Sequence, residues 1–224
     1  MKYFYLYIFG LVCFIVAMSY WNSQHSFSEG FNPKTQYILL LGDSILNNEI
    51  YVANGKSVYH LLNERTNNRT TCLAKNDATI VDVYNQIRKI PEDLKTSSNT
   101  TIFLSIGGND ILNQASDNEG IAIDSKIVNT IFSSYKTLIK NIQKNMPKSQ
   151  LILVDIYYPD NIKYKQFHDA IREWNDKIYK YAEENKLSVL EISNILTKPE
   201  DFTLDIEPSD IGSKKLVDAI LHNC

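Results

Sequence analysis

The stretch Tyr37-Ile38-Leu39-Leu40-Leu41-Gly42-Asp43-Ser44 decides the fold of this chain and locates its chemistry. A short apolar run that ends abruptly at a glycine is typical of a strand buried in a sheet. Ser44 then stands at the carboxyl end of that strand, where open α/β sheets bind their ligands. A serine there is a candidate nucleophile, although a turn or a helix N-cap is the default interpretation of a lone Gly-Asp-Ser.

A second apolar run, from Thr101 to Ile106, ends in Gly107-Gly108-Asn109-Asp110. If both strands belong to one parallel sheet, Asn109 lies near Ser44 at the same edge. The Asn109 amide and the Ser44 backbone N–H would then stabilise a developing oxyanion, and one such donor is typically worth ~3 kcal/mol in the transition state. The alternative is that Asn109 or Asp110 caps the next turn.

The rest of the chain alternates between strand and helix patterns. This alternation predicts a parallel five-stranded sheet, and right-handed crossovers make it a three-layer α/β/α sandwich. Further strands are predicted at 71–74, 151–156 and 187–192, and helices at 57–64, 79–90, 124–145, 164–184 and 211–221.

The N-terminal segment from Tyr3 to Trp21 is almost wholly apolar and carries no charge. At ~1.5 Å per residue, a helix of this length spans ~30 Å of hydrocarbon. We therefore predict a single-pass transmembrane anchor over residues 1–21; a signal peptide cleaved near Ala17-Met18-Ser19 is the alternative. Residues 22–35 have the composition of a tether, and residues 36–224 form one domain, lumenal or extracellular if anchored and secreted if cleaved.

Composition excludes several other classes of function. The net charge of -3 and the lack of a basic patch argue against a nucleic-acid partner. The three cysteines do not form a disulfide framework, and no spacing of His, Cys, Asp and Glu predicts a metal site. We expect a monomer without cofactor or metal, whose membrane contact is the N-terminal helix.

The Gly42–Ser44 turn, the Gly107–Asp110 turn and the late segment Asp205–Gly212 resemble, in order and spacing, the motifs of the SGNH (GDSL-type) hydrolases. The resemblance extends over residues 37–221. It implies a flavodoxin-like sheet and the hydrolysis of esters through a serine and a histidine. Residue by residue, Ser44 matches the nucleophile and Asn109 matches the side-chain oxyanion donor.

The chain departs from that pattern in the second motif, where Asp77 takes the place of a glycine. The backbone N–H of that glycine joins the oxyanion hole, so the resemblance implies a hole formed by Ser44, Asp77 and Asn109. A carboxylate beside an oxyanion would repel it unless Asp77 turns away. A register shifted by one residue would place Asn76 there instead.

The larger departure is Glu207, which stands before Pro208 where the family has its catalytic histidine. The sequence Ile-Glu-Pro-Ser resembles a branch of the family with glutamate at this position. A carboxylate of ordinary pKa, ~4.3, accepts a proton less readily than imidazole at ~6.5, but burial or a second carboxylate raises that pKa. Asp205 faces the same way as Glu207 in an extended segment, which predicts a coupled pair; a solvated acidic turn is the alternative.

The sequence thus predicts a serine ester hydrolase that acts on an acyl group of a glycan, a lipid or a small molecule. Ser44 is the expected nucleophile, with Glu207 and Asp205 handling the proton. Two alternatives stay open, namely an acyltransferase using the same serine and a non-catalytic binding protein of the same fold. The expected substrate pocket comprises Asp43, Gly108, Asp110 and Tyr157.

Overall fold

The computed structural model describes residues 36–116 and 123–224 and contains a five-stranded sheet in the order β2-β1-β3-β4-β5. Every neighbouring pair of these strands is parallel. This order is the flavodoxin-like one, so the predicted three-layer fold is confirmed. The strands are β1 (Tyr37–Gly42), β2 (Thr70–Cys72), β3 (Thr100–Ser105), β4 (Gln150–Val154) and β5 (Ser188–Leu190).

Helices cover both faces of the sheet and enclose two separate hydrophobic cores. Leu39 and Leu41 of β1 join one core, which is shared with α2, α5 and α6, whereas Ile38 and Leu40 join the other, shared with α1 and α7. Successive strand side chains point to opposite faces, which explains this division. The helices are α1 (Val58–Arg65), α2 (Ile80–Arg88), α3 (Glu92–Thr96), α4 (Gly108–Ser116), α5 (Ser125–Asn145), α6 (His168–Asn185) and α7 (Asp210–His222).

The continuous apolar run in β1 follows from its place between two other strands. Residues 38–41 are all completely buried, because the strand is covered on both faces and paired at both edges. Burying a side chain of this size stabilises the fold by about 1.5–3 kcal/mol. The interior position of β1 therefore fixes where its carboxyl end, and hence Ser44, emerges.

Three segments differ from the sequence prediction. The long helix expected at 164–184 is a 3₁₀ helix (Ile162–Phe167) followed by α6, and α4 begins at Gly108, where only a turn was expected. The segment before α7 is an antiparallel hairpin of β6 (Phe202–Thr203) and β7 (Glu207–Pro208). The elements concerned are short, so their apolar periodicity is too brief to reveal them.

The predicted anchor over residues 1–21 and the tether over 22–35 lie outside the described residues and stay predictions. Within residues 36–116 and 123–224, no helix combines the length and the apolar character that a membrane span requires.

The turn after β1 depends on a close approach between two backbones. Gly42 has a φ of +124°, and a Cβ added there would lie 1.7 Å from the carbonyl oxygen of Ser105 in β3. The side-chain amide of Gln86 bonds the same residue twice, accepting from the Gly42 N–H at 2.7 Å and donating to its carbonyl at 2.8 Å. The strand end is thereby held on both sides.

We predict that Gly42→Ala prevents folding or lowers the free energy of unfolding by at least ~4 kcal/mol, because the new methyl group overlaps the Ser105 carbonyl. Gly55→Ala is the matched control, since Gly55 has a φ of +77° with nothing within 4 Å of an added Cβ. Its expected cost is only about 1–2 kcal/mol of backbone strain. Urea denaturation of both variants measures the difference, and equal losses would contradict the steric explanation.

Candidate active site

Ser44 and Glu207 meet at the carboxyl edge of the sheet although 163 positions separate them in the chain. The Ser44 hydroxyl donates a hydrogen bond to Glu207 Oε1 at 3.1 Å. Ser44 is 8% exposed and Glu207 is 9% exposed, so this bond lies largely out of bulk water. The turn after β1 positions the serine, and the first residue of β7 supplies the carboxylate.

Two buried side chains hold the backbone on either side of Glu207. The Tyr157 hydroxyl donates to the carbonyl of Ile206, and Asn48 Nδ2 donates to the carbonyl of Pro208 at 2.8 Å. Asn48 is completely buried, and its role was not apparent from the sequence because an asparagine soon after a turn usually indicates only a loop. The position of the carboxylate is therefore set through its flanking peptide groups.

The environment of Glu207 raises its pKa above the ordinary value for a glutamate. Burial is the main cause, the hydrogen bond from Ser44 opposes it, and the charge of Asp77 adds to it. Glu207 Oε2 is buried and has no hydrogen-bond partner within the described part of the chain. A carboxylate with a raised pKa is a stronger base than one in water, which suits it to accept a hydroxyl proton.

The expected pairing of Asp205 with Glu207 is wrong. The Asp205 carboxylate instead bonds the Lys163 ammonium and accepts from Asn161 Nδ2 at 2.9 Å. The hydrogen bond from Lys163 lowers the pKa of Asp205, the opposite of what a coupled pair would do. Leu204 and Asp205 both have positive φ values, so this segment turns and the two carboxylates do not share a face.

Asn109 lies on the wall of the same cleft as Ser44 and Glu207. Its Nδ2 donates to the carbonyl of Ala78 at 2.9 Å, which fixes the amide plane. A side-chain amide carries two hydrogens, so one remains for a ligand. The backbone N–H of Ser44 has no acceptor among the described residues, so it is also available to a ligand.

Asp77 adopts the backbone conformation expected of the glycine that it replaces. Its φ of 56° lies in the left-handed region, which glycine adopts freely and aspartate tolerates. This conformation favours the register with Asp77, rather than Asn76, at the glycine position. The Asp77 side chain is exposed and is not among the residues that line the cleft, although its charge contributes to the raised pKa of Glu207.

The cleft beside Ser44 is open to solvent and is lined mainly by apolar side chains. Asp43, Gly108 and Tyr157 line it as expected, but Asp110 does not, because its carboxylate accepts from the N–H of Ile80 at 3.1 Å at the start of α2. No Lys, Arg or His lies among the lining residues that the structure describes. The apolar wall includes Ile45, Ile111, Leu112, Ile156, Phe167 and Ile171.

Asp43 is a second buried carboxyl at the site and braces the turn that carries Ser44. Its Oδ1 accepts from the Ser105 hydroxyl at 2.9 Å and from the Ile45 N–H at 3.3 Å. Burial raises the pKa of Asp43 to about 7, an effect that the hydrogen bond from Ser105 opposes. Burial therefore favours the protonated form of this carboxyl in the folded chain.

Comparison with known proteins identifies the family and the fold of this chain. The family model of the GDSL-like Lipase/Acylhydrolase family matches residues 40–215. The comparison with curated proteins gave no match.

The fold is similar to those of several solved structures, at identities too low to show more than the fold. A lipolytic protein of the G-D-S-L family from Veillonella parvula has a TM-score of 0.65 and 17% identity, with 84% of this chain and 97% of that chain covered. A phospholipase A1 from Streptomyces albidoflavus has a TM-score of 0.62 and 15% identity, with 83% and 98% covered. An extracellular lipase from Streptomyces rimosus has a TM-score of 0.63 and 15% identity, with 83% and 98% covered.

We predict that the free energy of unfolding falls as the pH rises from about 4 to about 7, and that Asp43→Asn reduces this fall. The folded-state pKa of Asp43, about 7, lies above the unfolded value of about 4, so the native state binds the proton more tightly in this window. The contribution of Asp43 to the free energy of unfolding is therefore fully present below about pH 4. It decreases as the pH rises through the folded-state pKa, by up to ~4 kcal/mol.

Urea denaturation at several pH values measures this effect. Asp110→Asn is the matched control, because burial also raises the pKa of Asp110, to about 6. The dependence of the free energy of unfolding on pH should become less steep up to about pH 7 for Asp43→Asn and up to about pH 6 for Asp110→Asn. An unchanged dependence for Asp43→Asn would contradict the prediction.

Proposed function

This chain belongs to the GDSL-like Lipase/Acylhydrolase family, and we propose that it hydrolyses carboxylic esters with Ser44 as nucleophile and Glu207 as general base. The observation that carries the proposal is the 3.1 Å hydrogen bond from the Ser44 hydroxyl to the Glu207 carboxylate, at the wall of an apolar cleft. A serine hydroxyl becomes an effective nucleophile when an adjacent base accepts its proton.

In the acylation step, Ser44 Oγ attacks the ester carbonyl carbon while its proton passes to Glu207 Oε1. The carbonyl oxygen gains a negative charge, which the Ser44 N–H, the Asp77 N–H and the second amide hydrogen of Asn109 stabilise. Glu207 then gives the proton to the alcohol oxygen as the carbon–oxygen bond breaks. The product of this half of the reaction is an acyl ester on Ser44 and a free alcohol.

In the deacylation step, water attacks the acyl carbonyl carbon while Glu207 takes a proton from the water. Glu207 then gives this proton to Ser44 Oγ as the bond between Oγ and the acyl carbon breaks, which releases the carboxylic acid and restores the serine hydroxyl. A carboxylate serves both halves because it has no tautomer to orient, unlike a neutral imidazole, in which one nitrogen carries the proton. Glu207 therefore needs no second carboxylate to orient it. This is consistent with the position of Asp205, which bonds Asn161 away from the site. The held backbone around Glu207 replaces the orienting function of such a partner.

The proposed substrate is an ester with an uncharged, apolar acyl group. Apolar walls favour a hydrocarbon chain, and the lack of a basic side chain among the described lining residues disfavours an anionic one. Two of the similar structures are a phospholipase A1 and a lipase, which supports a lipid ester over a glycan ester. We retain the N-terminal anchor as part of the proposal, with the domain lumenal or extracellular.

A fluorophosphonate probe should label the wild-type chain covalently, because the attack of an activated serine on phosphorus displaces fluoride. Ser44→Ala should abolish this labelling, whereas Ser105→Ala, which removes the second serine that lines the cleft, should leave the label on Ser44. Intact-mass spectrometry measures the adduct. A folded wild-type chain that stays unlabelled from pH 5 to pH 9 would favour the non-catalytic alternative.

The pH dependence of kcat/KM tests Glu207 directly. Because the base must be ionised and burial raises its pKa, activity should increase with pH along a limb that lies above the ordinary glutamate pKa of ~4.3. Glu207→Gln should lower kcat about 10²–10⁴-fold, the usual contribution of a general base.

Glu207→His should restore part of the lost activity, with the limb moved towards ~6.5. Asp205→Asn is the matched control, since it removes a carboxylate two residues away that does not contact Ser44. Wild-type activity in Glu207→Gln, or equal losses in Glu207→Gln and Asp205→Asn, would exclude Glu207 as the base.

A further inference from the structure

The large apolar side chains that the described part of the chain leaves most exposed all lie at one edge of the fold. Their exposed fractions range from 51% to 78%. Each follows the carboxyl end of a strand or lies in the segment that brings Glu207 to Ser44, so all are on the cleft side of the sheet. These residues, named here the apolar rim, are Ile50, Val81, Ile162, Leu204 and Ile211.

Hydrogen bonds join the segments that carry two members of the apolar rim. Asp205 bonds Asn161 and Lys163, which links the segment of Leu204 to that of Ile162. Both segments continue directly into the cleft wall. The segment of Ile162 contributes Tyr164 and Phe167, and that of Leu204 contributes Ile206 and Glu207.

Another hydrogen bond joins the segments that carry Ile50 and Ile211. The N–H of Ala53 donates to Asp210 Oδ1 at 3.1 Å, which brings the 3₁₀ turn that holds Ile50 to the start of α7, where Ile211 lies. Scattered single apolar residues on a surface need no explanation, but exposed apolar residues on linked segments that continue into an apolar cleft indicate a contact surface.

The backbone at Leu204 shows that folding alone does not explain this rim. Leu204 has a φ of 46°, a conformation that a bulky side chain adopts only at an energetic cost, and its side chain is 68% exposed. Glycine or asparagine would make the same turn with less strain. The leucine therefore carries strain without contributing buried area, a combination that points to a function outside the folded core.

We propose that the apolar rim docks onto the surface of a zwitterionic or neutral lipid layer, with the mouth of the cleft towards the lipid. The lipid-ester part of this proposal rests on the proposed function, whereas the docking itself does not. Aliphatic side chains that enter the interface contribute through the apolar area that they bury there. The rim borders a cleft with apolar walls, so an acyl chain would pass from the layer into the site without crossing water.

The charges near the rim indicate which lipid surface fits. The charges on the segments of this edge are mixed, since Asp77, Asp205 and Asp210 alternate with Lys75, Lys165 and Lys214, and the Lys163 ammonium is engaged by Asp205. With no surplus of basic side chains there and a net charge of -3 for the chain, this edge has no electrostatic attraction to an anionic lipid surface. Phosphatidylcholine is therefore the expected surface and phosphatidylserine the disfavoured one.

The predicted N-terminal anchor is compatible with such docking. A tether of the length of residues 22–35 spans up to about 45 Å when extended, which is comparable to the diameter of a domain of this size. The anchor would keep the domain close to a bilayer, and the rim would set the orientation of the cleft against it.

The test uses the full chain with Ser44→Ala, reconstituted into phosphatidylcholine vesicles that contain brominated phosphatidylcholine. A fluorescent label is placed on Leu204→Cys or, as the control, on Asn99→Cys, which is exposed and precedes β3 at the opposite edge of the sheet. The same chain without an introduced cysteine gives the background from its native cysteines. Because Ser44→Ala cannot form the acyl ester, the outcome does not depend on whether the protein is an esterase.

The expected result is at least threefold stronger quenching by the brominated lipid at Leu204→Cys than at Asn99→Cys. Ile162→Ser should reduce the quenching at position 204, and vesicles with one third phosphatidylserine should reduce it as well. Equal quenching at both positions would overturn the proposal. The proposal would also be overturned if the label at position 204 were shielded from solvent in the absence of brominated lipid, and only as the protein concentration rises. A second copy of the chain would then cover the rim.

The strain at Leu204 allows a second, independent measurement. Leu204→Asn relieves the unfavourable backbone conformation, so its thermal midpoint should equal or exceed that of the parent chain. If the rim docks as proposed, quenching at an Ile162→Cys label should nevertheless fall at least twofold in this variant. Unchanged quenching in a stably folded Leu204→Asn chain would overturn the role of Leu204 in docking.

Discussion

The close passage of the β1 end against β3 is the constraint on which the site depends. Only a residue without a Cβ fits where Gly42 meets the Ser105 carbonyl, and the Gln86 amide holds that residue from the other side. The turn that follows is thereby fixed relative to a completely buried strand, so Ser44 has a defined position before any ligand binds. A precisely held nucleophile is what a reaction with a fixed geometry requires.

The Glu207 carboxylate, the proposed base, meets Ser44 in an arrangement that differs from the pattern of serine, histidine and acid. A histidine needs a partner that selects its tautomer, whereas Glu207 needs only a position and a raised pKa. The position comes from hydrogen bonds of Asn48 and Tyr157 to the flanking carbonyls, and the raised pKa comes mainly from burial. The loss of the histidine is thus compatible with a working base, and with the release of Asp205 to bond Lys163.

The same edge of the sheet combines the site and the exposed apolar rim. In a parallel sheet, the loops after the strands are free to vary because the core is completed by the strands and the helices. Leu204, Ile162 and Ile50 lie on such segments, where an apolar side chain is not needed for packing. The fold therefore separates the residues that stabilise it, which lie in the two cores, from those that we propose to contact substrate and a lipid surface.

The sequence by itself determined the parallel sheet. An uninterrupted apolar run such as residues 38–41 predicts a strand that is buried on both faces, and helix patterns alternate with such runs. It also placed Ser44 and Asn109 at one edge, since strand ends in a parallel sheet share an edge. Only the tertiary structure decided that Glu207 reaches Ser44, that Asp205 turns away and that Asn48 holds the hairpin. Those contacts join segments far apart in the chain, and backbone turns such as those at Leu204 and Asp205 leave no periodic signal in the sequence.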